Sequence, residues 1–409
     1  MISPRLKSLI KGVFLCLGLL LAFNVGASQV DELGPNEWVD LGHPSPDPVY
    51  GYARGRSWTP KMLVTPEGLC LIGAGRHGAV NQDGFYQDDV SCYIPETHSW
   101  VMLDPGTHVS SLSLGLDENN FETDLTTGEH DLVAQFGHGY NICSYTEVYE
   151  EIFCISNTDP FWESAIPQRY DWLPPGSNAN SPTSPEESPW RFNVTTRVWV
   201  RDKGTFTDPL ETPWNRFEGI VEAVGNKMLY IRHGNIWEYN FETRQWTKVD
   251  IPAHSANDGY DHVACKLGDY IYLGKHSNFS RYDIVNQVWE VLSTTIYIGN
   301  GAQANLTCDT DNDIVLLHVY TNGVSSLRAY DVSQKEWKEQ SNSLDLSSVY
   351  RPVINAAYYN GIHWFYAASD SEPRSPMTVN SQTGRMFAYR YDAQTGTELP
   401  DIPTNLTTL

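Results

Sequence analysis

The chain has 409 residues, a formal net charge of −23 and 12% aromatic residues. So acidic a chain is poorly suited to nucleic acid or to an anionic membrane surface, because both carry negative charge. The apolar and aromatic content is ample for a folded core.

Residues 1–27 predict a secretory signal peptide. Arg5, Lys7 and Lys11 form a basic start, 13–23 form an apolar run, and Val25–Ala27 offer a small-residue cleavage site. A membrane anchor is the alternative, but the run is shorter than the roughly 20 residues needed to span a bilayer. We therefore expect a mature chain of residues 28–409, secreted to an extracellular or periplasmic space without membrane insertion.

An internal repeat runs through the mature chain. In each copy an aromatic residue is followed four positions later by a polar residue and seven positions later by a tryptophan. The five copies are Tyr93/Thr97/Trp100, Phe192/Thr196/Trp199, Tyr239/Thr243/Trp246, Tyr282/Asn286/Trp289 and Tyr330/Gln334/Trp337. A sixth copy, Tyr391/Thr395, has Glu398 where the tryptophan would stand. The tryptophans of the second to fifth copies recur about every 40 to 50 residues, a period typical of propeller blades.

Short β-branched and aromatic runs separated by turn dipeptides predict strands joined by hairpins. Each unit is predicted to hold four strands, a to d, with the aromatic on c and the tryptophan opening d. In the third unit these strands are predicted at 218–224, 227–232, 235–241 and 245–250. The other units are predicted at 60–103, 139–202, 263–293, 302–340 and 353–400.

The strand-c aromatic, the spaced tryptophan and the four-strand rhythm resemble kelch-type β-propellers of the galactose-oxidase superfamily. The resemblance covers nearly the whole mature chain, although the family's Gly-Gly doublet after strand b is absent and Leu71–Gly75 comes closest. It implies one all-β domain of four-stranded antiparallel blades.

The N-terminal segment 36–41 looks like a strand d with nothing before it. We predict that it closes the ring by completing the last blade, with Trp38 in the place that Glu398 does not fill. The predicted fold is therefore a six-bladed propeller closed by an N-terminal strand, with seven blades as the alternative.

Six of the seven cysteines lie beyond the signal, and an even number in a secreted chain predicts disulfides. The repeat register predicts three pairs: Cys70–Cys92 on strands b and c, Cys143–Cys154 on strands a and b, and Cys265–Cys308 on strands a of consecutive blades. Buried free thiols are the alternative. A metal site is disfavoured because no Cys-x-x-Cys spacing occurs.

In a propeller the d–a and b–c connections share one face, here called the upper face, and the a–b and c–d connections share the lower face. Two insertions, 104–135 and 157–189, are predicted on the upper face. The second contains Phe161, Trp162, Tyr170 and Trp172. These rings suit stacking against a sugar or a partner protein; the alternative is that they fasten the loop to its blade.

Further polar candidates lie on the same face. A basic residue precedes a histidine at the end of strand b in Arg76-His77, Arg232-His233 and Lys275-His276, with His318 as a weaker echo. They are either repeat residues that cap hairpins or donors for a carboxylated or hydroxylated ligand. The starts of strands a add Arg56, His138, Tyr140, Arg216, Glu218, Tyr260, Asp261, His262, Gln303 and Arg351 around the channel mouth. Converging polar groups at a pocket are the default prediction of a ligand site.

Two functions fit these features. The first is a secreted module that binds an extracellular glycan or protein through the upper face, without catalysis. The alternative is a carbohydrate-active enzyme of the lyase or epimerase type, with Tyr260 or His262 as general base and Arg216 neutralising a uronate. No cofactor or metal is expected. The copper-radical chemistry of galactose oxidase is disfavoured because every mature cysteine has a predicted partner.

Overall fold

The computed structural model is a six-bladed β-propeller, as the sequence predicts. It describes residues 29–53, 61–73, 88–108, 111, 114–116, 122–127, 141–155, 189–201, 205–206, 219–232, 234–252, 254, 262–294, 296, 298, 304–321, 323–340, 344–347, 349, 352–369, 384–392 and 397–398. The predicted signal peptide and most of the second insertion lie outside these residues. The described ends of both insertions, Asp104 and Pro189, belong to strands.

The blades follow one another along the chain after the first strand, β1 (Glu37–Gly42). Blade I contains β2 (Leu63–Thr65), β3 (Gly68–Ile72), β4 (Val90–Ile94) and β5 (Ser99–Asp104), and is followed by a separate hairpin of β6 (Leu114–Leu116) and β7 (Glu122–Asp124). Blade II contains β8 (Cys143–Thr146), β9 (Glu151–Ile155), β10 (Pro189–Asn193) and β11 (Val198–Arg201), and is followed by β12 (Thr205–Phe206). Blade III contains β13 (Ile220–Val224), β14 (Lys227–Arg232), β15 (Asn235–Asn240) and β16 (Gln245–Lys248).

Blade IV contains β17 (Val263–Leu267), β18 (Tyr270–Lys275), β19 (Asn278–Asp283) and β20 (Val288–Ser293). Blade V contains β21 (Ala304–Asp309), β22 (Ile314–Thr321), β23 (Val324–Asp331) and β24 (Glu336–Glu339). Blade VI contains β25 (Pro352–Tyr359), β26 (Ile362–Ser369) and β27 (Arg385–Arg390), and β28 (Thr397–Glu398) follows. One short 3₁₀ turn, Pro95–Thr97, joins β4 to β5.

The repeat is a cross-strand aromatic pair. In every blade the strand-c aromatic lies directly opposite the strand-d tryptophan; in blade III these are Tyr239 and Trp246, with ring centroids 5.0 Å apart. Such pairs add stability beyond the area they bury. Because they recur in every blade, they fix the same c–d register around the ring.

The polar residue of the repeat belongs to a capped turn. In blade III the side chain of Asn240, directly after the aromatic, accepts hydrogen bonds from the backbone N–H groups of Glu242 and Thr243. The next residue, Arg244, adopts a left-handed backbone with φ of 55°. Asn193, Asp283 and Asp331 accept equivalent bonds in blades II, IV and V. Short polar side chains that bond nearby backbone favour such turns, which explains the fixed spacing.

The N-terminal strand closes the ring. β1 pairs with β27, and Trp38 lies opposite Tyr389, so the closure prediction is confirmed. The sixth repeat copy is shifted: the aromatic opposite the tryptophan is Tyr389 rather than Tyr391. Asn36, in a left-handed conformation, takes the turn position and exchanges two hydrogen bonds with the backbone of Asp392. Glu398 instead pairs with Lys338 at the edge of blade V.

Three outer edges carry extra chain. β12 adds a parallel strand to blade III, β28 adds an antiparallel strand to blade V, and Ser45 bridges the outer strand of blade I beside Ser99. Covering an edge protects its unpaired backbone groups from association with other chains.

The core is divided into six apolar clusters, one between each pair of neighbouring blades. For example, Leu69 and Tyr93 of blade I pack with Trp364 and Tyr366 of blade VI. The ring is therefore held together by its blade–blade contacts, and its closing contact matters as much as any other.

All three predicted disulfides are present. Cys70–Cys92 joins β3 to β4, Cys143–Cys154 joins β8 to β9, and Cys265–Cys308 links β17 of blade IV to β21 of blade V. The third is the only one of these bonds that crosses between blades.

Candidate functional site

The two faces differ in the length of their connections. On the lower face the a–b turns are 66–67, 147–150, 225–226, 268–269, 310–313 and 360–361, and each c–d turn of blades I to V has four residues. On the upper face the strand bounds leave connections such as 73–89, 156–188, 202–219 and 370–384. Long connections in a compact domain are commonly functional. The loops long enough to form a binding site are therefore on the upper face.

Most predicted site residues lie outside the described part of the chain. These are Arg56, Arg76, His77, His138, Tyr140, Trp162, Trp172, Arg216, His233, Tyr260 and Arg351. The described candidates are Arg232, His262, Lys275, His276 and His318, of which His318 is fully buried within β22 and is not accessible to a ligand.

The described basic and histidine candidates differ in exposure. Arg232 and Lys275 are the last residues of strand b in blades III and IV, opposite Asn235 and Asn278. Arg232 is buried and Lys275 is half-buried, whereas His276 is exposed in the b–c turn with φ of 49°. The carbonyl of His276 accepts a hydrogen bond from the backbone N–H of Ile298 at 2.5 Å. Of these described candidates, only Lys275 and His276 are therefore accessible to a ligand.

A histidine that the sequence did not single out lies in the d–a connection after blade III. His254 stacks on Trp289 with ring centroids 5.1 Å apart, and burial lowers its pKa. Its backbone N–H donates to the carbonyl of Gly234, whose φ of 70° and close approach to His254 leave no room for a side chain. The d–a connection after blade III is thus fastened to the b–c turn of the same blade.

The candidate base His262 precedes β17 and is 7% exposed. Its carbonyl accepts a hydrogen bond from the Asn141 side-chain amide of blade II at 2.6 Å, across the channel strands. The residue therefore helps hold the starts of strands a of blades II and IV together, with blade III between them.

The strands a of all six blades enclose a central cavity of about 210 Å³. Within it the Lys61 ammonium of blade I donates to Glu222 Oε1 of blade III at 2.6 Å, although blade II lies between them. The Glu222 side chain is 6% exposed. The remaining polar lining includes Ser144, Tyr145, Lys266, Thr307 and Tyr358.

A buried polar network joins blades V and VI. Thr307 Oγ1 lies 2.7 Å from His363 Nδ1, and His363 Nε2 lies 3.4 Å from Asp309 Oδ2. Burial lowers the pKa of His363, against the attraction of Asp309. Burial would raise the pKa of Asp309, but its bonds to His363, Asn312 and Tyr358 hold it well below its ordinary value. Asp309 is thus a carboxylate that faces a neutral imidazole.

Carboxyl groups gather at the base of the first insertion. Thr107 donates to Asp88 through its backbone N–H at 2.8 Å and its hydroxyl at 2.7 Å, and Trp199 of blade II donates to the Asp88 carbonyl. Burial raises the pKa of Asp88 to about 7, in spite of the Thr107 bonds, and nearby Asp104 and Asp89 add to the rise. Burial likewise raises the pKa of Asp104 to about 6.

The described residues lack both a metal-binding cluster and a membrane-spanning helix. They hold no group of three or more histidine, cysteine, aspartate or glutamate side chains placed to bind a metal. Within the same residues, no helix is long and apolar enough to cross a membrane.

Comparison with known proteins returned matches among solved structures alone. No family model matches the chain, and no curated protein matches it. Among 372 matching chains of solved structures is one from the mitotic checkpoint complex, with 9% identity, a TM-score of 0.44, and coverage of 88% of this chain and 92% of that one. Another is the N-terminal domain of Nup159, with 12% identity, a TM-score of 0.29, and coverage of 64% and 61% respectively.

Proposed function

We propose that this protein is a secreted propeller of the kelch type that binds an extracellular glycan or protein through its upper face. The observation that carries the proposal is the asymmetry of the connections. Every a–b turn and every c–d turn of blades I to V is short, while the long connections fall on the upper face. Binding residues are commonly placed on loops that a rigid scaffold positions.

The three disulfides support the secreted part of the proposal. Such bonds persist in oxidising compartments and are rare in the cytosol. The kelch subtype is supported by the aromatic on strand c and the tryptophan on strand d.

The carbohydrate-active alternative receives no support from the described residues. The side chain of His262 is buried, and its partners Tyr260 and Arg216 lie outside them. Catalysis would need a base within hydrogen-bond reach of the abstracted proton.

A glycan array combined with a polysaccharide-depolymerisation screen tests the proposal on the mature protein. Retention of a glycan without turnover is the expected result. Unsaturated products that absorb in the ultraviolet would establish the lyase instead. If no glycan on the array binds, the proposal requires that a purified extracellular protein bind the upper face.

A further inference from the structure

The central cavity opens toward the lower face. Its lining residues Tyr145, Lys266 and Tyr358 each lie one residue before the end of a strand a, next to an a–b turn. These lining residues therefore lie at the opposite end of the blades from Lys275 and His276 of the upper face.

The cavity lining offers both hydrogen-bond donors and acceptors. Lys61 satisfies one oxygen of Glu222, and no described residue donates to the second oxygen, Oε2. The ammonium of Lys61 retains two further N–H groups. Among the described residues, none forms a hydrogen bond with the Lys266 ammonium or the Tyr145 hydroxyl.

A buried ion pair is a costly way to hold blades together. Burying two charges loses hydration that their attraction recovers only in part, and apolar residues of similar size often stabilise a fold as well or better. The Lys61–Glu222 pair, with side chains 20% and 6% exposed, therefore contributes little stability that apolar residues could not supply.

The lower rim restricts the charge of that ligand. The six a–b turns carry Glu67, Glu147, Glu150, Asp269, Asp311 and Asp313, and none of these turns contains Lys, Arg or His. The Tyr145 hydroxyl feels the negative charges of Glu67, Glu147 and Glu150. Asp311 accepts a hydrogen bond from the Tyr358 hydroxyl at 2.8 Å. This rim repels an anion, while Lys61 in the cavity and Lys266 at its exposed mouth oppose a cation.

We infer that the central cavity binds a neutral polyhydroxylated ligand about the size of one monosaccharide. Hydroxyl groups both donate and accept, so they match the free oxygen of Glu222 together with the N–H groups of Lys61 and Lys266. The rings of Tyr145 and Tyr358 offer flat apolar surfaces at the rim. A volume of 210 Å³ equals the share of about seven waters in the liquid, roughly one sugar ring.

Isothermal titration calorimetry of the mature protein tests this inference. The probes are D-glucose, D-galactose, D-mannose and myo-inositol, with glucuronate and glucosamine as the charged counterparts. We expect at least one neutral probe to bind more tightly than both charged ones. Glu222→Gln and Lys266→Met should each weaken that binding about tenfold. Lys227→Met is the matched control, because Lys227 lies near the lower face outside the cavity, in an ion pair with Glu238.

Three results would overturn the inference: no neutral probe binds, a charged probe binds most tightly, or Glu222→Gln and Lys266→Met leave binding unchanged. Lys266 is exposed, so its substitution tests the site even if Glu222→Gln fails to fold. The upper-face variant Lys275→Ala/His276→Ala should leave monosaccharide binding intact. Failure of the cavity inference is therefore separable from failure of the upper-face function.

Discussion

Trp38 packs against Tyr389, 351 positions later in the sequence, with ring centroids 4.7 Å apart, and this contact joins the two ends of the ring. The ring centroid of Phe365, on β26 of the same blade, lies 5.0 Å from that of Trp38. The N-terminal strand thus supplies the tryptophan that each of the other blades takes from its own sequence.

Removing this contact should destabilise the whole propeller. Trp38→Ala is expected to lower the free energy of unfolding by about 3 kcal/mol, because a large aromatic is lost from a packed blade interface. Urea unfolding followed by tryptophan fluorescence measures the change. Val291→Ala, at an exposed position on the outer strand of blade IV, is the control and should change stability little. Equal effects of the two substitutions would argue against closure by β1.

The disulfide between blades should stabilise more than the one within a hairpin. Cys265 and Cys308 are 43 residues apart and Cys143 and Cys154 are 11 apart. Chain-entropy arguments give about 4 kcal/mol for the first bond and about 3 kcal/mol for the second. Denaturant unfolding of the double alanine variants of each pair measures the difference. A larger loss for the hairpin bond would contradict the prediction.

Buried His318 should make the protein sensitive to acid. Burial lowers its pKa to about 3, with Ser325 Oγ 2.7 Å from Nε2. The unfolded chain binds this proton more readily, so stability is fully present above pH 6.5 and is lost as the pH falls. Between pH 6.5 and 5 the loss should be about 2 kcal/mol.

The test compares unfolding free energies at the two pH values. His318→Gln should remove about 2 kcal/mol of the difference, whereas His276→Gln, at an exposed turn position, should remove none. An unchanged pH dependence in His318→Gln would refute the assignment.

Asp88 should make stability change with pH in the opposite direction from His318. Its pKa is raised to about 7, so the folded protein binds the proton more tightly than the unfolded chain. This contribution is present at low pH and is lost as the pH rises toward 7, by about 1.4 kcal/mol per pH unit. Relative to Asp88→Asn, the wild type should therefore lose stability between pH 5 and 7. Asp269→Asn, in an exposed turn, is the control; a wild type that gains stability relative to Asp88→Asn would contradict the prediction.

The sequence predicted the repeated parts of the structure well. Six blades, three disulfides and the closing role of Trp38 all follow from a pattern that recurs at fixed spacing. The predicted strands of blade III, such as 227–232, agree closely with β14 (Lys227–Arg232). The shift of the sixth copy was missed because Tyr389 and Tyr391 are two residues apart, and only the pairing with Trp38 selects between them.

The channel chemistry could not be predicted from the sequence. Lys61 and Glu222 are 161 residues apart and meet across an intervening blade, and Thr307 and His363 meet across the boundary between blades V and VI. No local pattern marks such pairs, because their distances depend on the curvature of the closed ring. The capped c–d turns were readable in principle, since Asn193, Asn240, Asp283 and Asp331 each follow the repeat aromatic directly.

The most direct test of the central claim compares the two faces for ligand binding. Once the array or capture experiment has supplied a ligand, its affinity is measured for Lys275→Ala/His276→Ala on the upper face and for Gln287→Ala/Lys335→Ala on the lower face. The account predicts a loss of about tenfold, close to 1.4 kcal/mol, for the upper-face variant only. Loss of binding in the lower-face variant with normal affinity in the upper-face one would contradict it.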